Sequence, residues 1–341
     1  MEVVLACQTF ASIGGTQTYL LTVAEQLQRL GHGATILAEE LGEMAAAARA
    51  RGVDVAPLDD VPARVDGLVT RDGVVAARLA RALPDAPHLF VMPSEYFDFQ
   101  RPPLVPVRRL SHPVDIRRFA PHAPLRSPPQ RALLLGNYMQ GERKELIERV
   151  CGELGIACAH VGAHGEATAD PVPALVAADI VFAKARAIVE AMACGRAAYV
   201  TDVFGTDGWV TPERYPALEA DNFAGRVERS ALTPERLRAD LLAYRPEMGI
   251  ANRELAIAGH SASRHAEALV AELERAAPRP AAPPSALEDD REAWRQRALF
   301  AEEYLASVVG TRRYQTMVAI AAPLDRLRRR LRGLSGRASA R

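Results

Sequence analysis

The sequence predicts an α/β protein of two Rossmann-like domains that face each other across a cleft, followed by a helical C-terminal extension. Short apolar runs alternate with helix-length amphipathic stretches in two successive rounds, and a Pro-rich interruption separates them. Such alternation favours parallel strands, because a parallel crossover needs a connection of helix length. The length of 341 residues suits two domains of ordinary size with a segment to spare.

The first round opens with an apolar strand at residues 3–6, then a helix at 16–30, a strand at 34–38 and a helix at 41–51. It continues through a strand at 67–70, a helix at 74–83 and a strand at 88–92. Pro102, Pro103 and Pro106, and later Pro124, Pro128 and Pro129, interrupt the rhythm and place a boundary near residue 125. The second round runs from a strand at 131–135 through a loop at 136–141, a helix at 142–154 and a strand at 157–161. A short helix at 172–177, a strand at 179–182, a helix at 187–194 stopped by Gly195 and a strand at 197–201 follow. One helix is expected over 252–276. The predicted division is therefore residues 1–125, 126–276, a Pro-rich linker at 277–284 and a helical segment at 285–341. Ligands of open parallel sheets bind at the strand C-terminal ends, so the cleft between the domains is the expected site.

Composition narrows the function classes. Apolar residues make up 49% and charged residues 25% of the chain, which fits a folded globular protein. The formal net charge of zero provides no global field to hold nucleic acid, and no nucleic-acid partner is expected. Cys7, Cys151, Cys158 and Cys194 lack the short paired spacing of zinc or redox motifs and read as buried thiols. With a strand pattern starting at Val3, the expected compartment is the cytoplasm. The apolar stretch at 317–322 is far shorter than the ~20 residues of a membrane span. From Tyr314 onward, apolar residues recur at helical spacing opposite Arg326, Arg328, Arg329, Arg330 and Arg332. That basic amphipathic pattern, over residues 312–337, suits the inner face of an anionic membrane and makes peripheral attachment an expected property, with a coiled-coil partner or an RNA-binding tail as the rival reading.

Three stretches carry chemistry. ASIGGTQTYL places Gly14 and Gly15 between the first strand and first helix, where missing Cβ atoms let backbone amides approach a phosphate or sugar. The pair lacks the G-x-G-x-x-G spacing of dinucleotide binders, so a plain turn is the alternative. GNYMQGERK puts Arg143 and Lys144 in the first turn of a helix, opposing its dipole at a cost that an anionic ligand would remove; a solvated surface pair is the rival reading. His32, in GHGAT, reads as structural.

The third stretch is DIVFAKARAIVEAMACGRAAYV, residues 179–200. It resembles the C-terminal donor domain of the family 4 retaining glycosyltransferases of the GT-B fold. Gly14-Gly15 with the helix that follows resembles that family's first loop, HPVDIRRFAP at 112–121 its interdomain segment, and GTDGWVTPE at 205–213 its late loop. The resemblance spans most of residues 1–275. It implies that Glu190 binds the ribose of the donor nucleotide, that Gly14 and Gly15 lie against the donor, and that Arg143 and Lys144 hold its diphosphate. A carboxylate suits the ribose role because it accepts from both vicinal hydroxyls through charge-assisted bonds. An exposed helical Glu, with Gly195 as an ordinary stop, is the alternative.

The chain also departs from the family's pattern. Phe182 stands where an earlier Glu is usual, the loop after it is shortened to residues 183–186, and Asn137 replaces an Arg. Met92-Pro93-Ser94-Glu95 stands where the family carries a His. Lys184 and Arg186 either face the phosphates or neutralise the local surface. The implied activity is transfer of a sugar from a nucleotide-diphosphate donor to a glycan or glycolipid acceptor. A retaining reaction needs no enzymic nucleophile, since the leaving diphosphate can take the acceptor proton; an inverting one would use Glu95 or Asp98 as base. No metal or other cofactor is expected, because helix dipoles and cations can serve the diphosphate. The alternatives are a relative that has lost catalysis and acts as a membrane-tethered scaffold, and a nucleotide-sugar epimerase.

Overall fold

The computed structural model describes residues 1–94, 105–121, 123–162, 165–166, 168, 170–202 and 205–276. Glu95, Asp98, the linker at 277–284 and the segment at 285–341, including 312–337, lie outside the described residues. Two α/β layers with parallel-dominated sheets make up the described part, as the alternation predicts.

The first sheet contains β1 (Glu2–Phe10), β2 (Gly33–Leu41), β3 (Asp54–Pro57), β4 (Gly67–Thr70), β5 (His88–Met92) and β6 (Val107–Arg109). Their order is β3-β2-β1-β4-β5-β6, and every pairing is parallel. Helices α1 (Gly15–Arg29), α2 (Glu43–Ala50) and α3 (Gly73–Ala82) supply the crossovers. Val3 to Cys7 of β1 are buried without a break, as a strand covered on both faces requires. The strands β3 and β6 were not expected from the sequence. Each is a short edge strand with exposed residues, so neither carries the apolar run that marks a central one.

The second sheet contains β7 (Arg131–Leu135), β8 (Ala157–Val161), β9 (Ile180–Ala183), β10 (Ala197–Asp202) and β11 (Gly205–Trp209), in the order β11-β10-β9-β7-β8. Only the β10–β11 pair is antiparallel. Residues 205–209, read as part of a loop, thus form an edge strand: Tyr199 faces Trp209 across that pair, and their rings meet edge to face at 5.1 Å. Around this sheet lie α4 (Gly141–Glu153), α5 (Val172–Ala177), α6 (Arg186–Ala193), α7 (Tyr215–Ala220), α8 (Pro234–Leu242) and α9 (Glu247–His260), and α10 (Ala262–Arg275) ends the described chain. The four cysteines are free, and three of them are buried.

The single helix expected over 252–276 is two helices. The chain turns at Ser261, with φ −58° and ψ 121°. The His260 carbonyl there accepts from the Val114 amide at 2.8 Å, and the Ala262 amide donates to the Val114 carbonyl at 3.0 Å. Beyond this turn Ala266, Leu269 and Leu273 of α10 join the core of the first sheet, beside Leu5, Leu20 and Val23. Residues 262–275 therefore pack with the first sheet rather than with the second, where the sequence division grouped them. Helical periodicity cannot register this change, because α9 and α10 each bury one face, and Gly259 in the last turn of α9 is the one local mark of the break.

Two buried charges fasten the segment between the sheets. Asp179 accepts backbone N–H bonds from Arg126, Gln130 and Arg131 and pairs with the Arg126 guanidinium. Arg196, 2% exposed, donates to the carbonyls of Cys194, Val176, Ala178 and Ala123.

Candidate functional site

In each sheet the strand order reverses direction at one place, and ligands of such sheets bind there, beyond the strand C-terminal ends. In the first sheet that place lies between β1 and β4, in the second between β7 and β9. A cavity of about 270 Å³ opens at the first, lined among others by Gly15, Thr16, Arg71, His112, Ala185 and Asn222. A larger groove, about 600 Å³, lies beside Gly195, Ile250 and Arg253. It adjoins neither reversal point, so the smaller cavity is the better candidate.

Two helices begin at this cavity. Gly14 caps α1 with extended backbone and no side-chain hydrogen bond, which leaves the first amides of the helix available to a ligand. Space is open where a Cβ on Gly15 would lie. Ala185 caps α6, likewise with no side-chain hydrogen bond, and reaches that role through φ +49° and ψ −130°, a region that favours glycine. The two-residue link Lys184-Ala185 between β9 and α6 imposes this conformation, and the Ala185 amide is fixed by the Phe223 carbonyl at 3.0 Å. Asn222 and Phe223 follow each other at φ +59° and +51°, so left-handed backbone gathers on this wall of the cavity.

Arg71, directly after β4, supplies the charge. Its guanidinium lies over the Tyr19 ring at 4.1 Å and has no hydrogen-bond or carboxylate partner among the described residues. Burial lowers its pKa to about 10, against the pull of Tyr19 and with a further push from Arg186, so it stays a cation at neutral pH. Tyr19, His265 and His112 beside it are neutral. Burial raises the Tyr19 hydroxyl to about 12 and lowers His265, its hydrogen-bond partner at 2.9 Å, to about 3. His112 is 6% exposed and held well below its ordinary value, by burial first and then by Arg71 and Arg186; its Nδ1 has no partner among the described residues.

At the reversal point of the second sheet, Lys184, Arg143, Tyr138 and Asp202 form one cluster. Lys184 Nζ contacts both Asp202 oxygens at 2.8 Å and lies 4.4 Å from the Tyr138 ring centre. Burial lowers the Arg143 pKa, which the Asp202 charge and Tyr138 oppose, and Arg143 Nη1 is buried without a partner. Lys144 points elsewhere and pairs with Glu148 at 3.1 Å.

Glu190 lies one helical turn beyond the α6 cap and is 7% exposed. Its Oε1 accepts from Arg186 Nε at 2.8 Å; Arg186 also donates to Thr22 Oγ1 at 3.1 Å and to the Pro113 carbonyl at 3.4 Å. Arg186 thus ties α6 to α1 and to the segment between the sheets. Glu190 lines a second cavity, about 280 Å³, with Thr18, Thr22, Met44, Arg118 and Phe119. The structure brings Gly15 and the α6 cap together, and Arg143 with Lys184. It leaves Lys144 apart and engages Arg186 in the fold.

Sequence reading missed Arg71, His112 and Asn222. For Arg71 a signal existed: it is the first residue after the apolar strand GLVT, the position that a Rossmann order turns toward the ligand. His112 opens the segment HPVDIRRFAP but carries no local pattern.

No protein-family model matches the chain, and no curated protein matches its sequence. Solved structures do match its fold. The chain is similar to a glycosyltransferase from Rickettsia africae at 13% identity and TM-score 0.55, over 80% of this chain and 98% of that one. It is similar to Anabaena HepE, solved in complex with UDP-glucose, at 11% identity and TM-score 0.56, over 80% and 99%. A third is AviGT4, a glycosyltransferase involved in avilamycin A biosynthesis, at 14% identity and TM-score 0.52, over 80% and 97%. The architecture is that of the GT-B fold.

Proposed function

We propose that the chain is a glycosyltransferase that takes a sugar from a nucleotide-diphosphate donor bound in this cleft and passes it, with retention, to a glycan or glycolipid. The observation that carries this reading is the cavity at the reversal point of the first sheet. There α1 and α6 both begin, and the half-buried cation of Arg71 has no carboxylate partner among the described residues. Its support is the GT-B architecture, whose neighbours include enzymes that transfer sugars.

In this reading Gly15 and Thr16 present amides to the donor phosphates, and the start of α6 faces the same group from the second sheet. Both dipoles favour the charge that grows on the leaving diphosphate, the quantity an enzyme of this kind must stabilise. Arg143 and Lys184 add positive charge beyond β7 and β9, and no metal is needed. Glu190 keeps one oxygen on Arg186 and offers the other to the ribose hydroxyls. Binding of donor and acceptor side by side supplies the remaining rate through orientation. Basic residues at 312–337 would hold the protein at an anionic membrane on the cytoplasmic side.

Titration calorimetry with UDP, GDP and dTDP tests the donor site. One nucleotide should bind, and Glu190→Ala should weaken it at least ~10-fold, as loss of a charge-assisted bond predicts. Glu190→Gln, which can still accept from Arg186, guards against misfolding. Absence of nucleotide binding, or equal affinity in both variants, would remove the reading.

A second reading, a binding or scaffold protein without turnover, is favoured by one set of contacts. Lys144, Lys184 and Arg186 already hold Glu148, Asp202 and Glu190, and buried Phe182 occupies the place of a carboxylate. Slow hydrolysis of nucleotide sugar without acceptor would decide for the transferase, and binding without hydrolysis for the scaffold. Co-sedimentation with anionic liposomes, with and without residues 285–341, tests the membrane contact; equal sedimentation of both would dismiss it.

A further inference from the structure

We propose that Arg71 is the anion anchor of the cleft: its guanidinium binds a phosphoryl group that enters the cavity between the starts of α1 and α6. The proposal rests on the cleft being the ligand site argued above, but assigns the charge to a residue of the first sheet that no motif singles out.

The cations expected to hold a diphosphate are largely committed elsewhere. Lys144 pairs with Glu148, Lys184 with both oxygens of Asp202, and Arg186 with Glu190, Thr22 and Pro113. Arg71 alone among these lines the cavity without a hydrogen-bond or carboxylate partner among the described residues. Arg71 is half-buried, with its Nη1 covered and unpartnered among the described residues, and a charge held partly out of water without a partner is costly for a fold to keep. Its surroundings are arranged to hold it rather than to neutralise it. Tyr19 stacks beneath it at 4.1 Å and is itself fixed by His265 at 2.9 Å, while His112 beside the cavity leaves a buried ring nitrogen unpartnered. The open amides at the start of α1 and α6 face the same space. A planar fork, a neutral imidazole and helix N-termini around one cavity suit a phosphoryl group, which takes several donors at once. That group belongs either to the donor diphosphate or to a phosphorylated acceptor.

Calorimetry on the full chain with pyrophosphate, inorganic phosphate, UDP and uridine, for wild type, Arg71→Met and Arg71→Lys, tests the assignment. Wild type should bind pyrophosphate or phosphate, Arg71→Met should bind it at least tenfold more weakly, and Arg71→Lys, which keeps the charge without the fork, should fall between. Without ligand, Arg71→Met should melt at the wild-type temperature or above it, because the substitution removes a half-buried charge that has no partner among the described residues; a merely structural arginine would melt lower. Weaker UDP binding with unchanged uridine binding assigns the phosphoryl group to the donor. Unchanged UDP binding with weaker phosphate binding assigns it to the acceptor. Equal phosphate and pyrophosphate affinity in all three proteins, no binding by wild type, or a lower melting temperature with loss of all ligands would overturn the proposal. If phosphate binding depends on Arg71 while no nucleotide binds, the anchor stands and the transferase reading falls.

Discussion

Ala185 holds a backbone conformation that a glycine would hold without strain, at the point where α6 opens onto the cavity. A non-glycine residue in this region costs on the order of 1–3 kcal/mol, and glycine returns part of that gain through the greater freedom of the unfolded chain. Ala185→Gly should therefore stabilise the protein by about 1 kcal/mol in urea denaturation; equal or lower stability would show that Ala185 is relaxed. Of the residues around the cleft, Glu190 and Gly15 were legible because each sits in a local pattern: a helix with its stop, a strand with its turn. Arg71 offered only its place after a strand, and His112 offered nothing. What sets them apart is a covered nitrogen without a partner among the described residues, and a sequence records what lies beside a residue in the chain, not what is missing around it in space.

Helix α6 shows the same division at the next scale. Its apolar spacing and the stop at Gly195, φ +66°, were readable, and the helix spans Arg186–Ala193. Its partner was not: α9 packs so closely that a Cβ on Gly249 would collide with the Gly195 carbonyl. Part of the segment EAMACG, residues 190–195, thus serves helix packing, whatever Glu190 binds. Asp179 anchors the segment that leads into this layer. Burial alone would raise its pKa, but the amides of Arg126, Gln130 and Arg131 and the Arg126 guanidinium outweigh burial and hold it below 3.8. A depressed carboxylate contributes stability that is complete above the unfolded value and lost as pH falls through the folded one. Asp179→Asn should cost about 3 kcal/mol at pH 7, from donors left unpaired, and the gap to wild type should narrow below pH 3.8. Urea unfolding at pH 7 and pH 3 measures both; a gap independent of pH would contradict the assignment.

At the scale of the whole molecule, the last described helix returns to the first sheet, so the core of that sheet draws on segments from both sides of the second layer in the chain. Leu269 is fully buried there, and Leu269→Ala should destabilise by about 2–5 kcal/mol. If the layers are coupled this way, calorimetry should show one transition that moves as a whole, whereas a shift confined to one of two resolved transitions would show independent layers. The two-layer α/β architecture was legible from the alternation of strands and helices. The exchange of α10 was not, because amphipathic spacing says that a helix has a buried face and not which sheet covers it.

The bond pair between Val114 and residues 260 and 262 gives the cleft a spine. Both passages of the described chain from one layer to the other run side by side there, so the layers are joined as the two covers of a book are joined. Turning about a spine moves a page edge far and its root little. His112, whose carbonyl accepts from His260 beside that line, keeps its neighbours through such a turn, while the openings of α1 and α6 draw together or part. A ligand that spans the two would be seen as a smaller radius of gyration in solution scattering.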